Sequence, residues 1–340
     1  MPNGPPIEEP RDSAHREKLA FLCTPLSYPD HPEWVERVET HKSWVFLTEH
    51  FVYKLKKPIA YNSVDSRELE TRCHFCREEV RLNQPLAGDT YLGVVNLCRD
   101  EQGRLTLSDN GPIVECLVKM RRLPAHQFMS SLISAGQVEA TSIAALSKVL
   151  AKFYGSAPRE SVTGTGYRAI LEREIRLNDA VGEGVENELG ASVQRAQLEF
   201  LDRSALLFDD RVATGRVVEG HGDLRPEHIC LVDPPQIIDR LEFDPLLRIA
   251  DPIDELSFLR LECERLGASE IGDDIFEGYC ELTGDRPPVS LVRFYTSYRA
   301  AMWARLAIWR IRDASSARRH LWIARANEYL EIARRYLPVD

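Results

Sequence analysis

The 340-residue chain contains no run of eighteen apolar residues, so no membrane-spanning helix is expected. Its N-terminus, Met1–Lys18, is rich in Pro, Glu and Arg and lacks the apolar core of a secretion signal. Residues 1–20 read as a disordered leader. Positive charge is in deficit: 43 Lys and Arg face 53 Asp and Glu, for a net charge of -10. A general nucleic-acid binder would need a basic face to neutralise phosphates, so that class is disfavoured. A cysteine framework is also missing. The eight cysteines are scattered, with one close pair, Cys73 and Cys76. Without an export signal they read as reduced thiols of a cytoplasmic protein. A single CxxC inside a helical stretch, with no second pair, reads as core packing rather than a zinc or redox site.

What is present is ordinary globular composition, 44% hydrophobic and 28% charged, on a length suited to two lobes. Short alternating segments at 35–40, 43–48 and 51–56 predict strands. Asp65-Ser66-Arg67-Glu68 has the form of a capping box opening a helix to about Leu86. Further strands are expected at 91–98, 104–107 and 114–120. After Pro124 the periodicity turns helical, first at Ala144–Tyr154, then at 253–266, 289–312 and 316–336. The clear β signal of this half lies within 216–238, where Asp233-Pro234-Pro235 reads as a hairpin turn. The division predicted is 21–122 for a β-rich lobe and 123–340 for a helical one.

Within that β signal, His221-Gly222-Asp223-Leu224-Arg225-Pro226-Glu227-His228 forms a loop, and the chain returns to Asp239. A tight hairpin would bring Asp223, His228 and Asp239 together. Phosphoryl transfer uses such a set: a carboxylate to orient and deprotonate the acceptor hydroxyl, and ligands for the Mg²⁺ that accompanies the nucleotide. In that reading Asp223 is the base, Asp239 the main metal ligand and His228 the second. The helix stretch carries an independent signal. Phe75, Glu79, Leu82 and Leu86 recur at helical spacing, so Glu79 sits in an apolar face and needs a buried cation.

His221-Gly222-Asp223, a ligand position five residues later, the distal Asp239 and Asp251-Pro252-Ile253-Asp254-Glu255-Leu256 together resemble the aminoglycoside phosphotransferases and related small-molecule kinases. The stretches Glu39–Val45, Tyr53–Pro58 and Val118–Arg122 are similar to an uncharacterised bacterial branch of that family. The resemblance implies an α+β, protein-kinase-like two-lobed fold with a β-rich N-lobe and a mostly helical C-lobe. It implies ATP and Mg²⁺, or Mn²⁺, as cofactors and a small-molecule hydroxyl as acceptor, with no nucleic-acid or membrane partner. It also implies a strand lysine on the nucleotide phosphates, held by a helix glutamate. Lys54 and Lys56 share one strand face and either could serve, with Glu79 as the glutamate. No glycine-rich loop is present. Thr40–Ser43, Ser43 included, would cover the phosphates, and the adenine would lie against a connector near Lys119-Met120-Arg121. Two departures stand out: His228 where the family has Asn, and Arg240-Leu241 after the metal-binding aspartate. The alternatives are a nucleotide-binding pseudokinase acting through a partner, and a metallohydrolase built on His221, Asp223, His228 and Asp239.

Overall fold

The computed structural model describes residues 13–61, 64–159, 161–179, 185–313 and 316–338. They form two compact units. One runs to Phe128 and takes in Pro235–Pro245; the other holds the rest.

The first unit is built on a six-stranded antiparallel sheet. Helix α1 (Ser13–Leu22) precedes β1 (Glu36–Glu39), β2 (Ser43–Leu47) and β3 (Phe51–Lys56), and a two-residue pair, β4 (Ala60–Tyr61) and β5 (Val64–Asp65), follows. Then come α2 (Leu69–Ala87), β6 (Tyr91–Arg99), β7 (Leu105–Leu107) and β8 (Ile113–Arg121). The spatial order is β1-β2-β3-β8-β6-β7. Strand alternation divides β3 between two cores. Tyr53 and Leu55 join Leu19, Leu22, Trp44, Phe46 and Leu117 on the α1 side. Lys54 and Lys56 point the other way, towards α2, where both reach Glu79.

Residues 1–12 of the expected leader lie outside the described residues. From Ser13 onward the expectation fails: Leu19 and Leu22 are buried, and the Lys18 ammonium bonds Val114 O and the Glu115 carboxylate. The capping box also fails. Helix α2 opens at Leu69 with no side-chain cap from Glu68, while Asp65 lies in β5 and accepts the Arg67 backbone N–H.

The reading of all cysteines as reduced thiols is corrected as well. Cys73 of α2 forms a disulfide with Cys116 of β8, 43 residues away, and its CxxC neighbour Cys76 remains a buried thiol. Burial pushes the Cys76 thiol up to about 12, keeping it protonated and unreactive. The disulfide ties the helix that carries Glu79 to the central sheet. Reduction is expected to lower stability by about 3 kcal/mol. The check is a urea midpoint that falls with added reductant in the wild type but not in Cys116→Ser.

In the second unit the elements are α3 (Met129–Ala135), α4 (Ala140–Ser156), α5 (Gly164–Arg176), α6 (Asn187–Arg203), α7 (Ala205–Ala213), β9 (Val218–Glu219) and β10 (Ile229–Cys230). After β11 (Gln236–Ile237), which belongs to the first unit, come β12 (Ile249–Ala250), α8 (Pro252–Arg265), α9 (Ser269–Thr283), α10 (Val289–Asp313) and α11 (Ser316–Arg335). β9 and β12 pair antiparallel. Sequence periodicity suggests a solvated arginine face on α10. Instead Arg299 and Arg305 are buried, because carboxylates await them on neighbouring helices: Asp254 at 2.5 Å and Glu174 at 2.8 Å. Among the described residues no helix is long and apolar enough to cross a membrane.

Candidate active site

The first unit gathers a compact charge cluster. Glu79 is fully buried, as its place in an apolar helix face requires, and it binds both candidate lysines: Lys54 through Oε1 at 2.9 Å and Lys56 through Oε2 at 2.6 Å. Each lysine then reaches a second carboxylate. Lys54 Nζ lies 2.5 Å from Asp239 Oδ1, and Lys56 Nζ 2.5 Å from Glu242 Oε1. Lys54, not Lys56, is therefore the one that touches the aspartate expected to hold metal. Glu242 carried no periodic or motif signal in the sequence; only its position three residues after Asp239 hinted at it.

Opposite charge overrides desolvation at Lys54 and at Glu242. Burial would depress the Lys54 ammonium, but Asp239, Glu79 and Glu242 hold it well above the ordinary lysine value. Burial would likewise raise the Glu242 carboxyl, yet Lys56 and Lys54 keep it below the ordinary glutamate value. Asp239 adopts a left-handed backbone with φ 64°, a conformation aspartate tolerates better than most residues. Its N–H donates to the Tyr91 hydroxyl at 3.1 Å. The next residue fixes the segment: Arg240 N–H donates to Asn83 Oδ1, and its guanidinium to Leu82 O.

Two expected nucleotide contacts are relocated. Ser43 is not a loop residue but the first of β2, paired with Lys56 and 1% exposed. The turn before it is closed by Thr40, whose hydroxyl accepts the Ser43 N–H. Lys119-Met120-Arg121 is not a connector, because β8 runs through Arg121. Met120 pairs with Val52 and is buried beside Tyr91 and Val118.

In the second unit, the His221–His228 loop is held by the start of α8. Asp251 caps that helix by accepting the Ile253 N–H and is gripped by the Arg211 fork at 2.6 Å. The Glu255 carboxylate accepts the backbone N–H groups of His221 and Gly222 and the Tyr154 hydroxyl. Gly220 is required beside it, since a Cβ there would lie 2.6 Å from Glu255 Oε2. Asp254 binds Arg299, which donates to Gly222 O at 3.2 Å. The sequence signal DP-x-DE was present, but nothing in it distinguished Glu255 as the loop's anchor. Glu255→Ala would orphan three buried donors, and about 2 kcal/mol of stability should go with them in chemical denaturation.

The His221 imidazole Nδ1 accepts the Asp223 N–H at 3.2 Å and so shapes the loop backbone. Asp223 faces Arg225, with Nε 3.0 Å from Oδ1 and Nη2 3.2 Å from Oδ2. His228 Nδ1 lies 2.8 Å from Asp223 O, and its Nε2 lies 3.2 Å from Arg225 Nη2. For a divalent cation, Asp239 fits: its side chain is 41% exposed and offers hard oxygen donors. His228 does not, because both ring nitrogens are engaged. Among the described residues no group of three or more His, Cys, Asp or Glu side chains is arranged as a metal site.

An antiparallel sheet braced by one helix, followed by a helical lobe, defines the α+β protein-kinase-like fold. The comparisons agree. The structure is similar to a choline/ethanolamine kinase family protein of Mesorhizobium loti, with TM-score 0.51 and 13% identity over 94% of this chain and 98% of that one. It is similar to aminoglycoside 2'-phosphotransferase-IIIa solved with GDP, with TM-score 0.51 and 15% identity over 94% and 98%. It also resembles the choline kinase LicA of Streptococcus pneumoniae, which with AMP gives TM-score 0.53 and 16% identity over 89% and 92%. At such identities the likeness is one of fold. No protein-family profile matches the chain. In sequence it is similar to uncharacterized proteins of Mycobacterium tuberculosis and Mycobacterium bovis, 32% identical over 314 residues, 89% of this chain. The chain spans 61% of the length of these relatives.

Proposed function

We propose that this chain transfers the γ-phosphate of ATP to a hydroxyl of a small molecule. The observation that carries the reading is the buried Lys54–Glu79 pair with Lys54 extended to Asp239. A surface lysine would need no such partner, whereas a phosphate-binding lysine must be aimed and kept charged. In this reading Lys54 contacts the nucleotide phosphates and Glu79 holds it. Asp239 would hold the Mg²⁺ that neutralises charge on the phosphates. Asp223 orients the acceptor hydroxyl and takes its proton as the oxygen bonds to phosphorus and the bond to the ADP oxygen breaks. Solved fold neighbours with GDP and AMP support a nucleotide as ligand.

The decisive experiment is an ATP-consumption screen with the full chain across sugars, amino alcohols, nucleosides and aminoglycosides. Turnover that depends on one acceptor class supports the reading, and no consumption with any acceptor counts against it. One observation favours a second reading, a nucleotide-binding pseudokinase: Arg225 clamps both oxygens of Asp223. Stabilisation by ATP and metal without turnover would select it.

A further inference from the structure

We propose that Arg225 is a resident cation of the catalytic loop that takes up the lone pair of His228, so that His228 is not a metal ligand. The inference rests on the phosphotransferase reading for its role in catalysis, but its geometry stands alone.

A carbonyl oxygen can only accept, so the 2.8 Å contact to Asp223 O requires the proton on His228 Nδ1. A guanidinium can only donate, so Arg225 Nη2 at 3.2 Å uses the Nε2 lone pair. A neutral imidazole has one such lone pair, and here it is spent. An asparagine at this position would have a carbonyl oxygen with two lone pairs, free to serve a metal while its amide served the backbone. The guanidinium also faces both Asp223 oxygens and lies over the Trp303 ring, 4.6 Å from its centroid. Its charge is secure: burial would weaken it, but Asp223 and Glu227 hold it above the ordinary arginine value. The Nη1 nitrogen has the Glu227 carboxylate 4.0 Å away. It is the part able to meet a phosphoryl oxygen, which planar guanidinium groups bind well.

The test uses the full chain with Mn²⁺, alone and with adenylyl imidodiphosphate, and reads imidazole nitrogen coupling to the metal by pulsed electron paramagnetic resonance. Wild type and His228→Asn are expected to give the same spectrum. Arg225→Met should gain a nitrogen coupling that the added His228→Asn removes; Arg225→Gln serves if the methionine variant does not fold. A wild-type coupling abolished by His228→Asn would overturn the proposal, as would silence in both Arg225 variants. In turnover, Arg225→Met should lose about 10²-fold in kcat, with partial recovery in Arg225→Lys. Failure of the analogue to bind would count against the phosphotransferase reading, and the ligand is then decided with Mn²⁺ alone at a concentration high enough to fill a weak site.

Discussion

Asp223→Ala is expected to fold normally, to bind ATP as tightly as the parent chain, and to lose about 10²–10⁴-fold in kcat. The separation between binding and turnover follows from where Asp223 sits. Its side chain is 22% exposed at the end of a loop whose backbone is held by other groups: Glu255 from α8, Arg299 through Gly222 O, and the His221 ring. Removing the carboxylate leaves those anchors in place. It also takes one carboxylate from the largely buried Arg225, so a loss of about 1–3 kcal/mol in stability is expected beside intact binding. The measurement is steady-state ATP consumption with the best acceptor, set beside the thermal shift induced by ATP. Parental turnover in the variant would end the assignment of Asp223 as the base.

Glu79→Ala is expected to act on the fold itself, at a cost on the order of 5 kcal/mol, read from urea denaturation. Glu79 is the shared counter-ion of two ammonium groups, and its removal leaves both short of charge in a nearly dry site. Lys54 and Lys56 side chains are only 16% and 5% exposed, so water cannot take over the role. Glu79→Gln should recover part of the loss by keeping two polar contacts, which separates charge from packing. The same cluster sets the pH window. Glu242 titrates below its ordinary 4.5 in the folded chain, so its contribution is present above that value and fades as acid is added. Lys54 titrates above its ordinary 10.5, so its contribution is complete below that value and is lost in stronger base. The contribution of this cluster should be flat between these limits in the parent, and stability there lower in Glu79→Ala. An unchanged urea midpoint would show the cluster to be stabilised by other means.

How much of this was legible beforehand depended on whether a physical cost forced the answer. Glu79 had to be buried, because an apolar helix face left it nowhere else, and a buried carboxylate had to have a cation. Lys54 and Lys56 had to share a face by the period of a strand. Strands β1–β3 and β6–β8 and helices α2, α4, α8, α10 and α11 followed from those same periodicities. What could not be read lay in contacts with no local repeat. Glu242 sits in an irregular segment, and its lysine lies 186 residues earlier. Cys73 and Cys116 meet because a helix crosses a strand, a juxtaposition invisible in their spacing. Ser43 belonged to the expected loop until pairing with Lys56 placed it in β2. The burial of the α10 arginines escapes the sequence for a similar reason. Basic residues on a helix read as solvated until the facing carboxylates, Asp254 and Glu174, are known.

The contact between Lys54 and Asp239 has a consequence for the order in which ligands arrive. A lysine ammonium resting on Asp239 Oδ1 competes directly with any cation for the same oxygen. A phosphate group that draws Lys54 away would release that oxygen, so anion and cation would each raise the other's affinity by the same factor. Metal added by itself should then bind weakly, and metal carried in by a nucleotide should bind well. The resting protein would thus discriminate against free divalent ions without any part of it needing to move far.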